Sequence, residues 1–485
     1  MTPTLILLII SLYFLLLIGI SCFTGRKADN QSFFLANKAA PWYVVAFGMI
    51  GSSLSGVTFV SIPGTVASQS FSYMQLVLGY LLGYFVIIRV LLPLYYKMNL
   101  TSIYAYLEQR FGFWSHRTGA SFFLLSRTIG SSFRLYLVAM VLDTFVFAAW
   151  GVPFWVTVVV TIVLIWLYTF RSGIKTILWT DTLQTAFLIG SVVLSIYIIG
   201  QDMGLSTAGL VKTVSDSPMS QIFFWDWQGS QNFFKMFFSG AFITIVMTGL
   251  DQDMMQKNLS CRSLKDAQKN MTWFSIVLVF VNLLFLCLGA LLYIYAEKRG
   301  IALPGKSDEL FPMLALQHFA PIAGFTFIVG LIAAAYSSAD SALTALTTSF
   351  CVDFLGFNSE KGPVKTRMKV HVGMSLVLGV QILLFHSLHN DSLITQLFKV
   401  AGYTYGPLLG LFAFGLFSNR VVKDKWVPLV AILSPVICYI LQDNSEAWLW
   451  GYKFGFELLI LNGAITFLGL RLLAVPGKFV TKELL

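Results

Sequence analysis

Stretches of about 20 apolar residues, the length that crosses the hydrocarbon of a bilayer, recur along this whole chain and constrain its fold more than any other feature. We place thirteen spans near 3–23, 42–68, 72–96, 118–148, 152–171, 174–200, 232–256, 272–297, 319–353, 368–388, 392–418, 426–442 and 454–474. Inside lipid every backbone N–H and C=O must be satisfied within the chain, so each span is expected to be helical. The longest polar interruptions, 201–231 and 298–318, are only loop-sized. With 57% hydrophobic and 11% charged residues, and a mean hydropathy of +0.78, the 485-residue chain reads as an all-α polytopic membrane protein, one membrane-embedded domain over 1–485.

A net charge of +10 invites a nucleic-acid reading, but the placement of the charges argues against it. Of the 32 Lys and Arg, 22 fall in alternate loops, from Arg26, Lys27 and Lys38 through Lys257, Arg262, Lys265 and Lys269 to Arg471, Lys478 and Lys482. Five lie on the other side, and five (Arg89, Arg127, Arg134, Lys235, Lys399) fall within spans. The basic side is cytoplasmic by the positive-inside rule, which sets the N-terminus outside and the C-terminus in the cytoplasm. The expected location is a bacterial inner (cytoplasmic) membrane, with lipid and no nucleic acid as surroundings. Residues 3–21 lack a basic segment before them and are followed by Arg26 and Lys27, so they read as a first outside-in helix and not a cleaved signal.

Two spans do not read as plain rods. The second contains GMIGSSLSGVTFVSIPGT (48–65), dense in Gly and Ser with Pro63, and the seventh contains SGAFITIVMTGLDQDMMQ (239–256). Freed backbone at membrane depth is tolerated only where it is buried in protein or lines a cavity. The two spans are five apart. With 1–41 as an extra helix and inner loop, they open two five-helix units, 42–200 and 232–418, and 426–485 adds two further helices and a tail. An odd repeat length runs such units in opposite directions, and interrupted helices at matching positions of inverted repeats point to a transporter binding site.

The ninth span carries AAAYSSADSALTAL (333–346), with a carboxylate and several hydroxyls where each polar group is expensive. Residues three and four apart share a helix face, so Ala334, Ser337, Ser338 and Ser341 form one stripe, flanked by Asp340 and Thr344. Asp181, about two turns into the sixth span, is a second intramembrane acid.

TDTLQ (180–184), GLDQDMMQKNLSCRSLKDAQ (249–268), AAAYSSADSALTAL and AGYTYGPLLGLFAFGLF (401–417) together resemble the sodium/solute symporter family, whose members carry proline, sugars, sialic acids and monocarboxylates. The resemblance runs over essentially the whole chain. It implies a leucine-transporter-type core of two inverted five-helix repeats and sodium-driven, alternating-access import of a small organic solute. It also implies a shared sodium site made by the Ser337 and Ser338 hydroxyls with the carbonyls of Ala334, Gly51 and Leu54. In a subset of the family an aspartate in the sixth span builds a second sodium site, matching Asp181, Ser337, Asp340 and Ser341 here. Asp340 departs from that subset, which has a hydroxyl there; it either joins the site, takes a proton, or pairs with a basic residue.

The solute cavity is expected between the two broken spans. Ser53, Ser55 and Thr58 are polar candidates there, with Gln75 reaching in from the third span and Tyr403 or Tyr405 stacking over the ligand. In the fourth span, Arg127 lies nearer the cytoplasm, within snorkelling reach, whereas Arg134 sits near mid-span and must meet an acid, a carbonyl cluster or a ligand. Asp143 is nine residues on, about 13 Å along the axis, a poor partner for Arg134 within one helix. Family members that carry carboxylated sugars place an arginine on this helix against the substrate carboxylate, so the resemblance favours an organic anion such as a sialic acid or monocarboxylate. A neutral sugar or amino acid is the alternative, followed by a channel or a non-transporting sensor. No nucleotide-binding loop is present, and none of the five histidines falls within reach of a mid-membrane serine, which argues against an ATP-driven pump or an enzyme.

Overall fold

The computed structural model describes residues 3–24, 30–169, 173–357, 362–387 and 393–478, so Arg26, Lys27, Arg171, Lys361 and Lys482 of the basic set lie outside the described residues. The described chain is mostly helical, with one antiparallel ribbon, Arg420–Val422 with Ala474–Lys478. The principal helices are α1 (Pro3–Thr24), α2 (Trp42–Ser53), α3 (Gly56–Gln69), α4 (Tyr73–Val86), α5 (Phe113–Leu142), α6 (Phe154–Thr169), α7 (Ile174–Asp202), α8 (Phe233–Thr244), α9 (Gln252–Leu259), α10 (Leu264–Arg299), α11 (Pro321–Ser349), α12 (Val364–His386), α13 (Leu393–Thr404), α14 (Gly406–Phe417), α15 (Val427–Asp443) and α16 (Leu458–Leu472).

Among the described residues, seven helices are long and apolar enough to cross a membrane, and ten spans result if each bent pair counts as one. The bent pairs are α2/α3, turning by 56°, α8/α9 with its extension to Gly249, turning by 63°, and α13/α14, turning by 43°. The first two are the spans whose Gly, Ser and Pro content marked them as interrupted. The third break, between Thr404 and Gly406, was not anticipated.

Burial shows which helices form the axis. In α11 with its extension to Phe354, 83% of the apolar window is inside the protein, against 22% for both α12 and the helix at Asp424–Asp443. The hydroxyl-rich helix is therefore central, and the other two lie at the periphery. It packs against α7, α5, α2 and α3. Glycines set the closest helix approach: a Cβ on Gly79 of α4 would lie 1.9 Å from the Phe237 carbonyl oxygen, and one on Gly240 of α8 would lie 2.1 Å from that of Leu76. Only hydrogen at these positions lets α4 and α8 meet backbone to backbone.

Candidate functional site

The break in α2/α3 faces α11 and α7. The last helical bond of α2 runs from the Leu54 N–H to the Ile50 carbonyl at 2.8 Å, and Leu54 itself leaves the helical region at φ −85°, ψ 79°. The final carbonyls of such a helix end have no donor within their own helix. The Ser338 hydroxyl lies 3.2 Å from both the Ser52 carbonyl and the Ala334 carbonyl. Having one proton, it serves one of them and keeps its lone pairs free. Gly51 donates its N–H to Thr185 Oγ1 at 2.9 Å, where a Cβ would fall 2.2 Å from the same oxygen. Gly51, Leu54, Ala334, Ser337 and Ser338 are all buried, and the α2 carbonyl that meets Ser338 is that of Ser52, between the expected Gly51 and Leu54. Such an oxygen cage at an unwound helix suits a small hard cation.

Beside it lies Asp181, fully buried. Its Oδ1 accepts from Ser337 Oγ at 2.7 Å, and its Oδ2 accepts from Ser52 Oγ at 2.8 Å and Ser341 Oγ at 3.4 Å. The Lys257 ammonium donates to the same Oδ2 at 2.6 Å and also to Ser52 Oγ. Asp340, one helical turn from Ser337, accepts the Ser341 backbone N–H. Lys257 is a correction to the charge reading, which put it in a cytoplasmic loop; its side chain is completely enclosed. The physical reason is the bend: Asp251 caps α9 by accepting the N–H groups of Asp253 at 3.0 Å and Met254 at 3.4 Å, and the capped half-helix turns inward, carrying Lys257 to α7.

A cavity of about 80 Å³ adjoins this cluster, between the broken helices. Ser53, Ser55 and Thr58 line it, as do Arg127 and Arg134 of α5 and Tyr73, Tyr80 and Tyr84 of α4. Thr244, Thr248 and Asn282 complete its polar wall. Arg127 does not snorkel to the cytoplasm. It is buried, hydrogen-bonded to Asp253 through Nη2 and 3.7 Å from Asp251 through Nη1. Arg134 is also buried, yet among the described residues no carboxylate lies within ion-pair distance of it, and its Nε has no hydrogen-bond partner. Asp143 instead accepts from Thr157 at 3.3 Å.

The sodium:solute symporter family matches residues 33–424 of this chain. The chain belongs to that family. Among its relatives, the sodium/sialic acid symporter NanT of Aliivibrio fischeri is 25% identical over 92% of this chain and 89% of the relative. SiaT of Proteus mirabilis, also a sodium/sialic acid symporter, is 26% identical over 87% and 86% of the two chains. The human sodium/iodide cotransporter is 22% identical over 85% of this chain and 67% of its own. A solved substrate-bound, outward-open structure of a Na+-coupled sialic acid symporter shares the fold with a TM-score of 0.81 at 20% identity, covering 98% of this chain and 99% of that one. The closed form of the nucleobase-cation-symport-1 transporter MHP1 is more distant, with a TM-score of 0.56 at 13% identity over 91% and 92% of the two chains. Sodium-coupled solute transport across a membrane is therefore the activity of this family member, with Na+ as the coupling ion.

Three of the expected solute contacts do not line this cavity. Gln75 is buried but directs its amide to backbone, donating to the Gln231 carbonyl at 2.9 Å and accepting from Phe224 N–H at 3.2 Å, so it fastens the loop 221–231. Tyr403 hydrogen-bonds Gln442, away from the cavity. Tyr405 donates to Asp251 Oδ2 at 2.6 Å and borders a smaller adjoining space with Arg127 and Arg134. Sequence reasoning missed the three tyrosines of α4 and the acids Asp251 and Asp253. The tyrosines did carry a signal, since residues 73, 80 and 84 share one helical face.

Proposed function

We propose that this symporter imports a small organic anion, a sialic acid or monocarboxylate in type, together with sodium. The observation that carries this reading is the asymmetry of the two arginines. Arg127 has its acids, whereas Arg134 brings a buried guanidinium to the cavity wall with no carboxylate at ion-pair distance among the described residues. A cation that deep needs a counter-charge, and the planar fork of a guanidinium matches a carboxylate through paired N–H···O bonds. Hydroxyl-rich walls from Ser53, Ser55, Thr58 and the α4 tyrosines suit a polyhydroxylated or small polar body. Relatives named as carriers of sialic acid, iodide and monocarboxylate, all anions, support the same class.

The finer architecture belongs to the same reading. Thirteen spans are proposed, ten from the long and bent helices and three from α5, α6 and α16. The bent pairs α2/α3 and α8/α9 open two inverted five-helix repeats that rock around the cavity. The N-terminus lies outside and the C-terminus in the cytoplasm of a bacterial inner membrane. A competition screen over sialic acids, monocarboxylates, hexoses, inositol and amino acids tests the substrate class: carboxylates should compete, and inhibition by uncharged sugars alone would overturn it.

A further inference from the structure

The Asp181 carboxylate is the place where a second coupling cation is expected by resemblance, and in this structure a cation already stands there. The Lys257 ammonium is 2.6 Å from Asp181 Oδ2 and bonds Ser52 Oγ, which itself donates to that carboxylate at 2.8 Å. Ser337 and Ser341 approach the carboxylate from the α11 side at 2.7 and 3.4 Å. Both charged side chains are shut off from solvent, at 0% and 1% exposure for Lys257 and Asp181. We propose that Lys257 is a tethered cation that fills the second cation position, so that this transporter binds one sodium ion per cycle, at the Ser337–Ser338 cage.

Charge balance supports the assignment. Lys257 already matches the Asp181 charge, and a sodium ion added at the same carboxylate would set two cations against one acid inside the protein, where charges a few ångströms apart interact far more strongly than in water. Space argues the same way. Oδ2 already receives Lys257, Ser52 and Ser341, and a sodium ion seated against it would have to displace the ammonium. Lys257 rides on α9, the inner half of a broken span, and Ser337 Oγ touches both the Asp181 carboxylate and the sodium cage. The lysine is thereby linked to the ion through one hydroxyl, and a move of α9 against α7 would be felt at the cage.

The proposal does not depend on which solute is carried, because sodium binding is counted without substrate. Equilibrium binding of radioactive sodium to the purified full chain should give one ion per chain for the wild type, with a Hill coefficient of one. Lys257→Met leaves the Asp181 carboxylate without its ammonium, so the count should rise to two and the Hill coefficient should move towards two. Adding Asp181→Asn to that variant should return the count to one. A lysine with only a structural role would lower yield without changing the count. Two ions bound by the wild type, or one still bound by Lys257→Met, would overturn the proposal. If Lys257→Met does not survive purification, Lys257→Gln replaces it, and the wild-type count is decisive by itself against two sodium ions.

Discussion

Arg134→Lys separates ligand recognition from fold support, because the two arginines of α5 differ in what they would leave behind. Lysine keeps the positive charge at the cavity wall but replaces a planar fork with a point charge. A bidentate carboxylate then loses one charge-assisted hydrogen bond, worth about 1.5–3 kcal/mol net, which is roughly 10- to 150-fold in apparent KM for the anion. Apparent sodium affinity should hold, since among the described residues no hydrogen bond or ion pair joins Arg134 to Ser337 or Ser338. Arg127 is the control. Its removal strands Asp253 and Asp251 in the interior, and breaking a buried pair in this way costs about 3–5 kcal/mol. Arg134→Met strands no acid among the described residues, so it should purify and melt like the wild type while losing anion uptake, whereas Arg127→Met should melt earlier. Initial-rate uptake in proteoliposomes, with thermal denaturation in detergent alongside, reads both effects. An anion KM that moves less than about twofold in Arg134→Lys, well under 1.4 kcal/mol, would refute the assignment, as would destabilisation by Arg134→Met equal to that by Arg127→Met.

Other substitutions probe the cage, the cavity and the packing. Ser337→Ala and Ser338→Ala each remove an oxygen that lipid cannot replace, so half-maximal sodium should rise in both, and unchanged sodium dependence of uptake in both would dismiss the cage. Cysteines at Ser53 and Thr58 should be protected from thiol reagents by substrate, whereas cysteines at Gln75 and Tyr403 should not; equal protection at all four would relocate the solute. Gly240→Val should force α8 off α4, because its Cβ would lie 2.1 Å from the Leu76 carbonyl, and size-exclusion profiles should show loss of the monodisperse protein.

The broken second and seventh spans were legible because Gly, Ser and Pro concentrated in an apolar run have few other uses. The bend before Gly406 was not, although Pro407 stands in the first turn of α14; a lone Gly-Pro pair inside an apolar stretch also fits a straight span. The stripe of Ala334, Ser337, Ser338 and Ser341 was readable from periodicity, whereas its reading as a sodium site came from the family resemblance. Lys257 was misplaced because hydropathy assigns a lysine at a span end to the loop, and only the 63° bend shows that α9 turns inward. Arg127 and Gln75 failed for a related reason. Each lies on a helix that was correctly placed, but a side chain's partner depends on which neighbouring helix it faces, and Asp253 and the 221–231 loop are distant in sequence.

Sodium-coupled import of an organic anion is tested most directly by concentrative uptake in proteoliposomes with the membrane potential clamped. With an inward sodium gradient, a radiolabelled sialic acid or monocarboxylate should accumulate above its external concentration, and the accumulation should vanish when sodium is equal on both sides. Equal uptake with and without the gradient, or accumulation of uncharged sugars only, would contradict it.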